Sequence, residues 1–314
     1  MNLPAHIAGL GMASGLPWKH LHLAIGMFDG VHLGHRTVVE AAVQAAREGG
    51  GLSGVLTFNP HPSAIFNPEK HTRLIMDPSS KAHLLQRLGI DVVITEPFTR
   101  EFARIEAGKF LPAVKEALPG LAAVYVGEDW RFGAGRRGDV AQLVAEARKM
   151  GMSVFSASPV NLDGQQVSST RIRGFLENGD VASANGLLGS PYFAEGAVEA
   201  GKRLGHRIGY PTLNLPWTAE FWPRFGVYAV RVSGPESLRP LFGVANFGLR
   251  PTVESSSRPL LETHLLGNCP FTTGDSIHVE WLQFLRPEMK FSSVDELRLQ
   301  IAIDVRHAEK FFEV

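Results

Sequence analysis

Leu21-His22-Leu23-Ala24-Ile25-Gly26-Met27-Phe28-Asp29-Gly30-Val31-His32-Leu33-Gly34-His35 decides how the first half of this chain folds. Residues 21–25 are a short apolar run that reads as a strand, and residues 37–48 read as a helix. Two histidines and several glycines therefore crowd the point where a strand hands over to a helix N-terminus. The first turn of a helix offers free N–H groups and a positive dipole end, which attract phosphate. Glycine lets the backbone approach a bulky anion, and histidine adds a donor that changes charge near neutral pH. The junction points to nucleotide chemistry.

Outward from this junction, strand-like and helix-like segments alternate. Strands are predicted at 54–58, 91–94, 122–126 and 153–155, with helices at 80–88, 107–118 and 140–150. Strict alternation predicts a parallel sheet covered by helices on both faces, with ligands at the carboxyl ends of its strands near a switch in strand order. The unusual clusters all follow predicted strands: His32 and His35; Asn59-Pro60-His61-Pro62; Gly127-Glu128-Asp129-Trp130-Arg131-Phe132-Gly133; and Ser168-Ser169-Thr170-Arg171-Ile172-Arg173, which opens another helix. From about Tyr192 the text changes to short β-branched and aromatic runs at 197–200, 226–232, 241–245, 261–266 and 277–284, closely punctuated by Gly and Pro. That pattern predicts a small antiparallel barrel. Val294, Leu297, Ile301, Val305, Ala308 and Phe312 step by three and four along one face of a closing helix, which Ser293 and Glu296 start as a capping box. The boundary falls at 187–192, giving domains 1–188 and 189–314.

Composition narrows the function. Of 314 residues, 44% are hydrophobic, enough for two cores. Lys plus Arg and Asp plus Glu number 31 each, which argues against a general nucleic-acid or membrane-surface binder. Cys269 is the only cysteine, so no intrachain disulfide can form, and the expected compartment is the cytoplasm. No apolar run is long enough to span a bilayer. Residues 1–20, with Pro4, Pro17 and scattered glycines, read as a loose leader rather than a signal peptide.

Each cluster has a plain reading beside a chemical one. The histidine pair could be half of a metal site, but no third ligand type stands nearby and Gly34 is a poor helix residue, so phosphate contact is the better reading. Ser-Ser-Thr at a helix start is an N-cap; two arginines in the next turn add anion binding. Pro60 and Pro62 around His61 fit either an ordinary turn or a rigid lip facing an aromatic ring. Trp130 and Phe132 read as core rather than as ligand contacts. In the second half, Gly201, Gly205 and Gly209 space a loop followed by Tyr210-Pro211-Thr212-Leu213-Asn214. The oxygens of Thr212 and Asn214 are hard ligands suited to Mg²⁺. Glu262, between apolar neighbours, fits either a solvated strand face or a general base facing a pocket.

Together these motifs resemble the bifunctional prokaryotic riboflavin kinase/FAD synthetase family, over nearly the whole chain from Leu21 to Val314. The resemblance rests on 26–35, with His-x-Gly-His at its end, on Thr57-Phe58-Asn59-Pro60-His61-Pro62, and on 168–173. In the second half it rests on 205–214, Asn246-Phe247-Gly248-Leu249-Arg250-Pro251-Thr252, Glu262 and Leu285-Arg286-Pro287-Glu288-Met289-Lys290-Phe291. It implies a Rossmann-like nucleotidyltransferase domain followed by a kinase barrel with a terminal helix. It implies riboflavin, FMN and ATP as substrates, FMN and FAD as products, and Mg²⁺ as cofactor, with no nucleic-acid or membrane partner.

The resemblance also implies residue roles. His32, His35 and Glu262 are the catalytic residues. Gly26, Phe28, Asp29, Gly34, Asp129, Ser168, Thr170, Arg171 and Arg173 bind the nucleotide being transferred. Phe58, His61 and Pro62 border the flavin. Gly201, Gly205, Gly209 and Pro211 hold the kinase ATP, and Thr212 and Asn214 the metal. The sequence departs from the family at His206, where arginine is usual, and at Phe271-Thr272-Thr273-Gly274, where Asp-Leu-Tyr-Gly is usual. These departures motivate one other reading, an FAD synthetase whose kinase-like half is inactive or only binds flavin; two more are a flavin-sensing binding protein that turns over no ATP and an adenylyltransferase with a different acceptor.

Overall fold

A computed structural model describes residues 4–201, 204–234, 239–249 and 258–313. Lys202 and Arg203 of the glycine loop, and Arg250, Pro251 and Thr252 of the later motif, lie outside them. The chain forms two compact units, Met1–Ser169 and Thr170–Val314.

The first unit is built on six parallel strands: β1 (His6–Ile7), β2 (Leu21–Ile25), β3 (Leu52–Asn59), β4 (Val92–Pro97), β5 (Leu121–Gly127) and β6 (Ser153–Ala157). Their spatial order is β1-β4-β3-β2-β5-β6. From β2 the chain steps one way through β3 and β4, then crosses to β5 and β6 on the other side. The switch point thus lies between β2 and β5, and the loops leaving their carboxyl ends flank it. The central strands are nearly continuous runs of buried Leu, Ile and Val, as a sheet covered on both faces requires. The helix Leu33–Gly49 buries Val38, Val39, Ala42, Val43 and Ala46 against it.

The leader is not loose. His6–Ile7 adds the edge strand against β4, a one-turn helix Leu10–Ala13 follows, and Trp18 is buried with its indole N–H donating to the Ala13 carbonyl at 2.9 Å. Two residues of ladder and one anchoring tryptophan are too short for a periodicity to reveal.

The helix Ser169–Glu177 starts at the last residue of the first unit and runs into the second, where the helix Val181–Leu188 follows. Then come β9 (Tyr192–Ala197), β10 (Leu213–Pro216), β11 (Gly226–Ser233), β12 (Leu241–Leu249), β13 (Pro259–Leu265) and β14 (Ser276–Pro287); a small hairpin, β7 (Asn161–Leu162) with β8 (Gln165–Gln166), precedes them in the first unit. All six pair antiparallel in the order β10-β13-β12-β11-β14-β9, and a bridge from Glu199 to Asn214 brings the two ends together into a nearly closed barrel. The first barrel strand is 192–197, earlier than the predicted 197–200. Tyr192, Tyr228, Phe247 and Trp281 fill the interior. Each such ring removes 150–250 Å² from water, roughly 4–6 kcal/mol at most.

The closing helix, Val294–Phe312, lays Ala308 over Val227, Ala229 and Val244, and stacks Phe312 on Phe242 at 4.2 Å. Ser293 caps it by accepting from the Glu296 amide at 3.1 Å; the Glu296 carboxylate reaches Ser292 rather than Ser293.

Candidate functional site

The loop leaving β2 is held in an unusual shape. Phe28, Gly30 and Val31 all have positive φ, at 48, 81 and 43°, which a β-branched residue such as Val31 adopts only under constraint. Phe28 is buried, its ring edge-on to His35 at 5.4 Å and close beneath Gly26. His32 is the N-cap of the helix Leu33–Gly49, its Nδ1 accepting from the His35 amide at 3.3 Å. That bond fixes the tautomer: the neutral ring carries its proton on Nε2. The two imidazoles stack at 3.6 Å and 16°. Gly34 makes room, since a Cβ there would meet the His32 ring at 3.3 Å. Burial lowers the pKa of His32 to about 4; burial, then His32 and Lys81, push His35 well below the ordinary range. At neutral pH both rings are uncharged hydrogen-bonding groups, so positive potential here comes from the helix N-terminus and from the Lys81 ammonium near His35.

Three side chains brace this loop from below. The buried Asp29 carboxylate accepts from the amides of Ile75, at 2.9 Å, and Met76, at 3.4 Å. Ser169, at the start of the fourth predicted cluster, donates its hydroxyl to the Asp29 carbonyl at 2.9 Å. The serine turn therefore meets the histidine loop, as convergence on one rim predicts. Lys81, 2% exposed, donates to the Met27 carbonyl at 3.0 Å and to Thr57 Oγ1 at 2.8 Å. Arg171 and Arg173 lie on the helix Ser169–Glu177, Arg171 over the Phe175 ring at 5.7 Å; Thr170 is exposed and Ser168 half-buried.

Beside the loop lies a cavity of about 670 Å³ with mostly apolar walls. Phe58, His61 and Pro62 line it, together with Phe66, with Phe98 and Phe102, whose rings pack on Phe58 at 6.0 and 5.5 Å, and with Trp130, Phe132 and Asp129. His61 is the N-cap of the helix Pro62–Phe66, its Nδ1 accepting from the Ser63 amide at 3.1 Å. Of the Pro60–Pro62 segment, His61 and Pro62 line the cavity. Trp130 and Phe132, stacked at 4.7 Å, belong to the core as read from the sequence and also form part of the cavity wall.

The second unit carries its chemistry on the outside of the barrel. Alternation turns Leu261, Thr263 and Leu265 inward and Glu262 outward. The ladder registers align Asn214, Glu262, Asn246, Val227 and Arg286 in one row across five strands. Two cavities open on this row. One, about 750 Å³, is lined by Gly201, Gly205, Pro211, Thr212, Asn214 and Glu262 among others; the second, about 230 Å³, lies under the closing helix beside Arg286, Glu288, Met289 and Phe291. Gly205, Thr212, Asn246 and Glu262 line both, so they stand on the common wall. Glu262 is therefore on the outer face of its strand and yet in a pocket.

Asn214 is buried, and Gly201 leaves space for its amide. Gly209, with φ 88°, forms the turn that closes the glycine loop behind these residues. His206, Thr272 and Thr273, the departures from the family pattern, border the larger cavity; there Asp275 accepts from the Thr272 amide at 2.7 Å and closes the turn. Burial raises the pKa of Glu288, and the neighbouring Glu262 adds to this against the hydrogen bond from Asn246 and the Arg286 charge.

Residues 17–171 match the family model for FAD synthetase, and 188–312 match that for riboflavin kinase. The chain belongs to the bifunctional riboflavin kinase/FMN adenylyltransferase family. The relative of that name from Escherichia coli (strain K12) is 37% identical over 98% of this chain and 97% of its own. Those from Haemophilus influenzae and Bacillus subtilis are 38% and 33% identical, covering 92% of this chain and 94% and 92% of theirs. A crystal structure described as a macrolide-efflux protein from Streptococcus pneumoniae superposes with a TM-score of 0.81 at 28% identity, over 97% of this chain and 98% of that one. Among the described residues of this chain no helix is long and apolar enough to cross a membrane.

Reading the sequence missed Lys81, Thr57, Ser169 as the bonding serine, Phe98 and Phe102, Asn246 as part of the kinase row, and Glu288 beside the smaller cavity. Lys81 sits in an ordinary amphipathic helix, where lysine signals solvent. Thr57, Ser169, Asn246 and Glu288 carried a signal, since all four fall inside quoted family motifs.

Proposed function

We infer that this chain makes FAD in two steps. In the second unit the terminal hydroxyl of riboflavin attacks the γ-phosphorus of ATP, ADP leaves, and FMN forms. In the first unit an FMN phosphate oxygen attacks the α-phosphorus of a second ATP, the bond to the β-phosphate oxygen breaks, and pyrophosphate leaves. The observation that carries the reading is Glu262 on the wall common to a polar and a less polar cavity. A base there reaches a hydroxyl presented from one side to a phosphate held on the other.

Glu262 accepts the hydroxyl proton, an effect of roughly 10²–10⁴ in rate. Gly201, Gly205 and Pro211 border the ATP, with Gly209 setting the loop turn. Thr212 and Asn214 supply hydroxyl and amide oxygens beside Glu262, and among the described residues no three His, Cys, Asp or Glu side chains converge as a closed metal cage. Such a sparse, hard-oxygen set fits Mg²⁺ shared with substrate phosphates, which when bound offsets their charge.

Adenylyl transfer needs no covalent protein nucleophile; it relies on in-line placement and charge stabilisation. His32 donates from Nε2 to the α- and β-phosphates, with His35 stacked behind it. Gly26, Phe28, Asp29 and Gly34 shape the loop, a supporting rather than direct part for the Asp29 carboxylate. From the motif we assign Ser168, Thr170, Arg171 and Arg173 to the pyrophosphate end. Phe58, His61 and Pro62 border the flavin, and Asp129, on the same aromatic wall, faces the flavin or the adenosine. We place the reaction in the cytoplasm, where the exposed Cys269 stays reduced.

Incubation with riboflavin, ATP and Mg²⁺, followed by separation of the flavins, tests the reading. FMN and FAD are expected; Glu262→Ala stops FMN formation while supplied FMN still becomes FAD, and His32→Ala does the reverse. FAD from FMN with no conversion of riboflavin by the unaltered chain refutes the kinase assignment.

A further inference from the structure

We propose that Lys81 is a positioning residue for adenylyl transfer: its buried ammonium clamps the Met27 carbonyl and so holds the loop 27–32 in the shape that aims His32 at the phosphates. The proposal rests on the adenylyl-transfer reading above.

Lysine is almost never fully buried without a partner, because an ammonium loses its hydration there. Here the partners are the Met27 carbonyl and the Thr57 hydroxyl, and Thr57 itself donates to that same carbonyl at 3.0 Å. The Met27 carbonyl thus receives two donors from below. It immediately precedes three residues with positive φ, at Phe28, Gly30 and Val31. A strained segment persists only when its surroundings over-determine it.

The bracing comes from several elements: Lys81 from the helix Pro78–Arg87, Thr57 from β3, and the backbone of Ile75 and Met76 through Asp29. That helix is itself anchored, its Asp77 cap accepting from the amides of Ser79 and Ser80 at 3.0 Å. The loop that places His32 is therefore referenced to the sheet and to a second helix, not to its own helix alone. Lys81, 2% exposed, is closed off from the surface a substrate could reach and acts through Met27.

The charge of Lys81 is adjustable. Burial lowers its pKa to about 8, with Asp29 opposing. The titratable groups facing it are Asp29 from the loop after β2, His35 from the helix Leu33–Gly49 and His6 from β1, with His83 on its own helix close to His6. Burial lowers the pKa of both His6 and His35, so neither gains charge in the alkaline range. Deprotonation above pH 8 weakens the clamp without removing a substrate contact.

The test measures kcat/KM for ATP in FAD formation from FMN between pH 6.5 and 9.5, for the full wild-type chain, Lys81→Arg and Lys81→Met. Riboflavin phosphorylation on the same chain and hydrogen-exchange protection of β2 and β3 are the controls. The expected wild-type value falls about tenfold between pH 7 and 9, as ionisation near 8 requires. Lys81→Arg, charged throughout, loses that alkaline fall. Lys81→Met drops at least tenfold at pH 7.5 with kcat falling, while riboflavin phosphorylation and protection of β2 and β3 stay within twofold.

A Lys81→Met enzyme within threefold of wild type overturns the proposal, as does an alkaline fall that persists in Lys81→Arg. Loss of β2 and β3 protection in both variants also overturns it, in favour of a purely structural lysine. If the wild-type chain itself forms no FAD from FMN, the adenylyl-transfer reading fails instead.

Discussion

Gly34→Ala should leave the protein as stable as before and yet cripple adenylyl transfer. The added methyl would lie 3.3 Å from His32 Cε1 and 3.4 Å from Nδ1, so the ring must move by a few tenths of an ångström. It cannot move alone, because it stacks on His35 at 3.6 Å and its Nδ1 accepts the His35 amide. Replacing glycine by alanine inside the helix Leu33–Gly49 gains up to about 1 kcal/mol of helix propensity. Weakening the His32 cap costs about 1 kcal/mol. The two nearly cancel, so Tm should move by no more than about 4 °C. Catalysis has no such compensation. A misplacement near 1 Å can cost 10²-fold, so a smaller one should lower kcat/KM for FMN adenylylation about tenfold. Paired thermal unfolding and FMN-to-FAD kinetics, with riboflavin phosphorylation as the internal control, check this. Adenylylation within twofold of wild type would refute the claim that the stacked histidine geometry is what Gly34 protects.

Three further outcomes follow from the same structure. Between pH 6.5 and about 4 the unfolded chain binds a proton at His32 that the folded chain resists, so stability falls with pH across that window, by up to about 3 kcal/mol. His32→Gln should flatten denaturant midpoints measured from pH 7 to 4; an unchanged slope would count against the buried neutral ring. Gly201→Ala puts a methyl 2.3 Å from Asn214 Nδ2, and should cut riboflavin phosphorylation at least tenfold while sparing FAD formation from supplied FMN. Asp304 is 2% exposed and pairs bidentately with Arg286 at 2.8 and 2.7 Å, so Asp304→Ala strands a charge beside the smaller cavity and should cost about 3–5 kcal/mol in urea unfolding of the second unit. A loss below 1 kcal/mol would mean that Arg286 finds another partner.

Much of the site was legible because its residue types have few other uses at those places. Glycines and histidines between a strand and a helix mark a phosphate loop, and the clusters after β2, β3 and β5 do share one rim. The edge strand His6–Ile7 was illegible, since two residues carry no period. Four of the barrel strands were read within a few residues; the first was read late, since Gly196 and Ala197 continue a strand that starts at Tyr192, and Leu213–Pro216, too short to show a period, was not read as a strand.

What the sequence alone determined is the alternation that makes the first sheet parallel, the change to short punctuated strands near Tyr192, and the amphipathic closing helix, because period and turn chemistry are local properties. What only tertiary structure decided is what covers each face. The sequence left Glu262 open between a solvated strand face and a pocket; in the fold it is on the outer face of its strand, in the wall common to two cavities. Lys81 carries the residue type of a solvated helix face, but β3 and the loop after β2 close over it and make its charge internal. Burial depends on elements distant in sequence, and no local pattern encodes them.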